Sequence, residues 1–252
     1  MIRHESGRLH IFLFFLYLKV TNLESTINNP AILMQKKVAI IHTSLVSIDK
    51  LKELFAKILP EVKVYNIIDD SLLTEVMENN HVTPGIVARM KNHFKNAELL
   101  GVDAILSQCS SMGEAVDAVQ TGIHTPVLKI DQAMAEKAVS LGSRIAVVAT
   151  VASTLKPSCN LIREAGKKNE KEVEVIEALV DGALDILLNQ GDKEMHNALV
   201  LEKIKVLEGK CDVIVLAQGS MVVLLPLLNE IKTPVLSSPE LGIKKLREML
   251  YG

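Results

Sequence analysis

Asp103-Ala-Ile-Leu-Ser-Gln-Cys109-Ser-Ser-Met112 and Asp212-Val-Ile-Val-Leu-Ala-Gln218-Gly-Ser-Met221 are two copies of one pattern. Each is followed by the same tetrapeptide, Thr125-Pro-Val-Leu128 in the first copy and Thr233-Pro-Val-Leu236 in the second. The copies lie 109 residues apart at the aspartates and 108 at the threonines. A short apolar run closing on small polar residues reads as a buried strand entering a loop at the start of a helix. Repetition at a fixed period is the mark of an internally duplicated fold. One copy ends in a thiol and the other in an amide, so a site built from both halves is chemically asymmetric.

Working outward, the same period recurs. Arg144-Ile-Ala-Val-Val-Ala149 matches Lys37-Val-Ala-Ile-Ile-His42, and Val173-Glu-Val-Ile176 matches Val62-Lys-Val-Tyr65. Between these runs lie helical patterns at Ile48–Leu59, at Pro84–Leu100 with apolar Ile86, Val87, Met90 and Phe94, from about Met112, and at 131–141. Strands buried on both faces and alternating with helices give parallel βα units. The expected fold class is therefore α/β: two tandem, pseudo-symmetric βα domains, each with a parallel four-stranded sheet flanked by helices. The expected boundaries are 36–142 for the first domain and 143–252 for the second. The last helix, Leu241–Leu250, is expected to pack back on the first half. Residues 1–35 read as a leader, either disordered or reflecting an upstream start. Its apolar run Ile11–Leu18 is far shorter than the ~20 residues that span a bilayer, and Met34-Gln-Lys-Lys reads as a natural start.

Bulk composition narrows the function. The 252 residues are 48% hydrophobic and 23% charged, as in a globular protein with a real core. The 28 basic and 30 acidic residues are spread without a basic block, which argues against a nucleic-acid or anionic-membrane partner. Cys109, Cys159 and Cys211 are odd in number and contain no CxxC pair, which fits a reducing cytoplasm and neither a disulfide framework nor a metal site. The seven histidines have no metal-ligand spacing. No GxGxxG or GxxxxGK[ST] loop supports a nucleotide cofactor.

In open parallel sheets, ligands bind beyond the carboxyl ends of the strands. There the sequence places Thr43 and Ser44; Cys109, Ser110 and Ser111; Thr150, Ser153 and Thr154; and Gln218, Gly219 and Ser220. Hydroxyls and free N–H groups at helix starts hold carboxylates or phosphates. Cys109 has a helix N-terminus available to lower its thiol pKa, and a thiolate there suits proton abstraction or nucleophilic attack. The alternative is a small buried hydrophobe. Cys159, after Pro157, reads as structural, and Cys211 sits about 23 Å of strand away from the pocket. His42 is a candidate for the pocket wall. His81, His124 and His196 read as solvent-exposed. Arg89 and Glu114 are open between pocket and surface.

Residues 36–250, on the strength of Asp103–Met112, Arg144–Thr154 and Asp212–Met221, resemble the aspartate/glutamate racemase superfamily. That superfamily includes hydantoin racemases, maleate isomerases and arylmalonate decarboxylases. The resemblance implies a cofactor-independent, metal-free isomerase acting at the α-carbon of a small carboxylic acid, and a homodimer as its assembly. It implies that Cys109 is one of two facing cysteines, with Ser110, Ser111, Thr43, Ser44, Thr150, Ser153 and Thr154 on the substrate. The second cysteine's position falls on Gln218, or on Gly219 if the loop shifts by one. Neither exchanges a proton near neutral pH, which leaves one retained thiol. A decarboxylase or other lyase, a cis–trans isomerase of a small diacid, and a non-catalytic small-acid binder stay open as alternatives.

Overall fold

The computed structural model describes residues 35–252; all but the last residue of the expected leader lies outside the described residues. The first half runs β1 (Lys37–His42), α1 (Ile48–Ile58), β2 (Lys63–Ile68), α2 (Ser71–Asn79) and α3 (Pro84–Leu99). It continues through β3 (Ala104–Ser107), α4 (Gly113–Gln120), β4 (Val127–Lys129) and α5 (Gln132–Leu141). The second half runs β5 (Arg144–Ala149), α6 (Ala152–Lys168), β6 (Glu174–Leu179), α7 (Ala183–Asp185) and α8 (Lys193–Leu207). It closes with β7 (Val213–Leu216), a 3-10 segment Gly219–Leu227, β8 (Val235–Ser237) and α9 (Ser238–Tyr251). Two separate four-stranded parallel sheets result, ordered β2-β1-β3-β4 and β6-β5-β7-β8. The registers repeat as well: Ile105 pairs with Val127 and Ile214 with Val235.

Val, Ile, Leu and Ala fill the central strands because helices cover both sheet faces. On β1, Val38 and Ile40 pack with Leu51, Leu54 and Phe55 of α1, while Ala39 and Ile41 pack with Ile86, Met90 and Phe94 of α3. The spacing of these helical residues is what aligns one apolar stripe along a helix. Thr83 caps α3 by accepting the Ile86 N–H at 3.2 Å, and Pro84 occupies the first turn.

The halves exchange helices. Met134, Ala135, Ala138 and Val139 of α5 belong to the core of the second sheet, with Ile145, Val147 and Val213. Ile243, Leu246 and Leu250 of α9 belong to the core of the first, with Val38, Ile40 and Leu106. A cut at Gly142 therefore separates each of these helices from the sheet it covers. Three buried aliphatic side chains of α9, at roughly 1.5–3 kcal/mol each, tie the end of the chain to its beginning.

The repeated aspartates organise strand starts. Asp103 accepts the Lys37 N–H at 2.8 Å, and Asp212 accepts the Ser143 and Arg144 N–H groups at 2.8 and 2.9 Å. The Arg144 and Ser143 N–H groups hold the Asp212 carboxyl below its ordinary value of 3.8. A depressed folded-state pKa contributes stability that is present above the unfolded value and lost as pH falls through the folded one. Asp212→Asn is therefore expected to lower Tm at neutral pH and to flatten its fall as the pH drops below the ordinary carboxylate range. Thermal melts across that range check this, and unchanged acid sensitivity would refute it.

Candidate active site

Cys109 and Gln218 hold equivalent backbone positions. Each is extended, at φ −110°, ψ 119° and φ −118°, ψ 131°, and each precedes a 3-10 turn. Met112 N–H donates to Cys109 O and Met221 N–H to Gln218 O, both at 3.0 Å. Both methionines are fully buried. Of the two positions open for the missing cysteine, the geometry selects Gln218 over Gly219.

A threonine at the end of each half's first strand serves these residues in parallel. The Thr43 hydroxyl is placed to favour the Cys109 thiolate, as are the Ser111 N–H and O–H and the Met112 N–H. Thr150 donates its N–H and Oγ1–H to Gln218 Oε1, at 2.7 and 2.9 Å. A main-chain N–H can only donate, so the atom it meets is the amide oxygen, and the Gln218 amide is thereby oriented. The Gln218 N–H donors are left to point elsewhere.

The helix-start donors do reach Cys109, but they do not win. Burial pushes the thiol above its ordinary value of 9.0, and the hydrogen bonds from Thr43, Ser111 and Met112 only oppose this. The expected lowering of this pKa is thus corrected. Stripping water from the sulfur outweighs a few neutral donors, and among the described residues no cation is named beside it.

Ser110 and Ser111 stitch the halves together. Ser110 Oγ donates to Ala217 O at 3.2 Å, and Ser111 Oγ pairs with Thr154 Oγ1 at 3.0 Å. Around them lies a cavity of about 180 Å³ bounded by both halves. Thr43, Ser44, Cys109, Ser110, Ser111, Thr154, Gln218, Gly219 and Ser220 line it. Thr150 and Ser153 lie outside this cavity. Thr150 is turned to Gln218, while Ser153, about 100° around α6 from Thr154, lines a neighbouring cavity of about 250 Å³ with Ser111 and Glu114.

Several lining residues escape a sequence reading. Ser47 and Gln108 carry a signal, being polar neighbours of the chosen strand-end residues. Gln108 Nε2 donates to Ser47 Oγ at 2.5 Å, while its buried Oε1 has no partner. The apolar wall, with Leu73 and Met77 of α2 and Leu184 and Leu187 after β6, carries none.

The remaining candidates fall elsewhere. His42 is buried away from the cavity, its Nε2 2.9 Å from Asn66 Oδ1, and burial lowers its pKa so that it stays neutral. His81 and His124 are exposed, but His196 is buried, correcting its expected exposure. It lies on the same face of α8 as Val200 and Ile204, which belong to the second core. Arg89 is drawn off to Glu75 and Asp69. Cys159 is wholly buried in the second core, and burial pushes its thiol up to about 12. Cys211 is buried as well. Among the described residues, no group of three or more His, Cys, Asp or Glu is placed to hold a metal, and no helix is long and apolar enough to cross a membrane.

No curated protein matches the chain. Solved structures share its fold at low identity. The aspartate racemase of Picrophilus torridus superposes with a TM-score of 0.62 at 16% identity, over 85% of this chain and 94% of that one. The allantoin racemase of Klebsiella pneumoniae gives a TM-score of 0.64 at 16% identity, over 85% and 87%. A mutant of arylmalonate decarboxylase gives 0.57 at 13% identity, over 86% and 94%. Residues 38–246 match the family described as Asp/Glu/Hydantoin racemase. The match spans both parallel four-stranded sheets and the strand-end loops around the cavity, and the chain belongs to the Asp/Glu/hydantoin racemase family.

Proposed function

We propose that this protein is a cofactor-independent racemase-like isomerase acting at the α-carbon of a small carboxylic acid, an amino acid or a relative. Cys109 is its only thiol acid/base. The observation that carries this reading is the pair of matched positions. Cys109 under Thr43 and Gln218 under Thr150 line one cavity, and only one of them can move a proton.

The Cys109 thiolate takes the α-proton, and the electron pair of the broken C–H bond moves onto the carboxylate as an enolate-like intermediate. Gln218 Nε2–H and the first main-chain N–H groups of Gly219–Leu227 are suited to hold that charge, since donors fixed before the reaction need no reorganisation. Gln108 Oε1, a buried acceptor without a partner, suits an N–H of the substrate. Returned to the face it left, the proton regenerates the starting acid; inversion follows when the planar intermediate turns over in the cavity before Cys109 protonates its other face. With one base, the α-proton exchanges with solvent on one face faster than configuration inverts.

Mass spectrometry of α-deuterium uptake in D2O, over aspartate, glutamate, apolar amino acids, hydantoins, maleate and substituted malonates, tests the proposal. Uptake that precedes inversion and vanishes in Cys109→Ala is expected; uptake unaffected by that change refutes it. The missing second base also favours a lyase reading, in which the single thiol protonates an enolate left by loss of CO2. Release of CO2 from a malonate would select it. Iodoacetamide is expected to alkylate Cys109 at least tenfold faster than Cys159 or Cys211, because only Cys109 opens on a cavity. Equal labelling of the three would favour a non-catalytic binder instead.

A further inference from the structure

We infer that the substrate of this site carries one carboxylate and an apolar side chain. The inference rests on the reading of the site given above. Among the described residues, Cys109 is the one ionisable side chain lining the cavity; every other lining group is a hydroxyl, an amide, a glycine or a hydrocarbon. The polar groups gather on the strand-end loops around Cys109 and Gln218. The rest of the lining is hydrocarbon: Leu73 and Met77 of α2 and Leu184 and Leu187 after β6, with Val46 and Val151 set among the polar loop residues.

A side-chain carboxylate against these side chains would lose water and, among the described residues, meet no cation. Arg89 is paired with Glu75 and Asp69, and Lys129 with Asp117. The charges beyond the wall have the wrong sign. Asp181 and Asp185 line a small adjoining cavity with Met77 and Leu184. Both are exposed carboxylates, so they offer a second carboxylate no counter-charge. An alkyl or aryl group there exchanges water for hydrocarbon contact, the usual basis of recognition in such a pocket.

Protection of Cys109 from iodoacetamide measures binding without turnover. Leucine and its deaminated analogue 4-methylpentanoate are expected to protect at concentrations at least tenfold lower than aspartate or glutamate. In Leu187→Arg, which places a cation in the apolar lining outside the packed cores, the ranking is expected to reverse. A circular dichroism melt confirms that the variant folds.

Equal or better protection by aspartate or glutamate in the wild type overturns the inference. So does protection by neither class, or a ranking in the folded variant that does not move. The two readings fail separately. Cys109-dependent deuterium uptake into aspartate would keep the proposed chemistry and sink this specificity. Selective protection by the apolar acids, with no uptake into any acid, would keep the specificity and sink the chemistry.

Discussion

Cys109→Ala is expected to lower α-proton exchange by about 10²–10⁴-fold, the usual contribution of a positioned acid/base. Where no second group can take the proton, the upper end of that range applies. In the proposed mechanism the working form is the thiolate, and burial pushes the thiol pKa above its ordinary 9.0. Below that pKa the thiolate fraction, and with it the rate, rises tenfold per pH unit and levels off only in the alkaline range. A binding substrate that carries its own donors would shift the plateau. The limb itself belongs to Cys109 and is expected to vanish in Cys109→Ala. Thr43→Val removes one donor that opposes the rise in pKa, so it is expected to move the limb further to alkaline pH while preserving the fold. Rate–pH profiles of the three proteins check both statements. An unchanged limb in the alanine variant would assign the titration to another group and remove Cys109 from the mechanism.

A large loss of stability is expected from a side chain at Gly242. A Cβ on this residue would lie 2.4 Å from Ile130 O and 2.8 Å from Ile130 Cδ1. The obstacle includes main chain, so a rotamer change cannot relieve it. Either α9 lifts from the first sheet or the β4–α5 connection moves. Gly242→Ala is expected to cost about 3 kcal/mol, the upper part of the range for overpacking. At this chain length that corresponds to a Tm lower by roughly 6–12 °C. The lifted helix also carries Ile243, Leu246 and Leu250 away from Val38 and Ile40, so the loss reaches both halves. Thermal melts decide the matter. A Tm within about 2 °C of wild type would mean that α9 is not pressed on Ile130 as the structure has it.

Much of the fold was legible without coordinates because its determinants are local. Val38-Ala-Ile-Ile41 and Ile145-Ala-Val-Val148 are apolar enough to be buried on both faces, whatever covers them. The recurrence of Asp103 at Asp212 and of Thr125-Pro126 at Thr233-Pro234 signals two copies of one unit. Helix α2 escaped because Ser71–Asn79 is short and offers only Leu72 and Val76 to the core. His196 was misjudged for a related reason: a polar residue on a helix declares its burial only when the opposing element is known.

What the sequence by itself determined is the α/β class, the duplication, and the end of the sheets at which Cys109 and the hydroxyl-bearing loops gather. Burial periodicity and strand polarity settle these from residues near one another in the chain. What only the tertiary structure decided depends on residues distant in the chain. It exchanges α5 and α9 between the sheets, joins Thr150 to Gln218, removes Thr150 and Ser153 from the cavity wall, and builds the apolar wall from Leu73, Met77, Leu184 and Leu187. It also reverses the sign expected for the Cys109 pKa. Desolvation sums over every atom packed around the sulfur, and no stretch of sequence contains that sum.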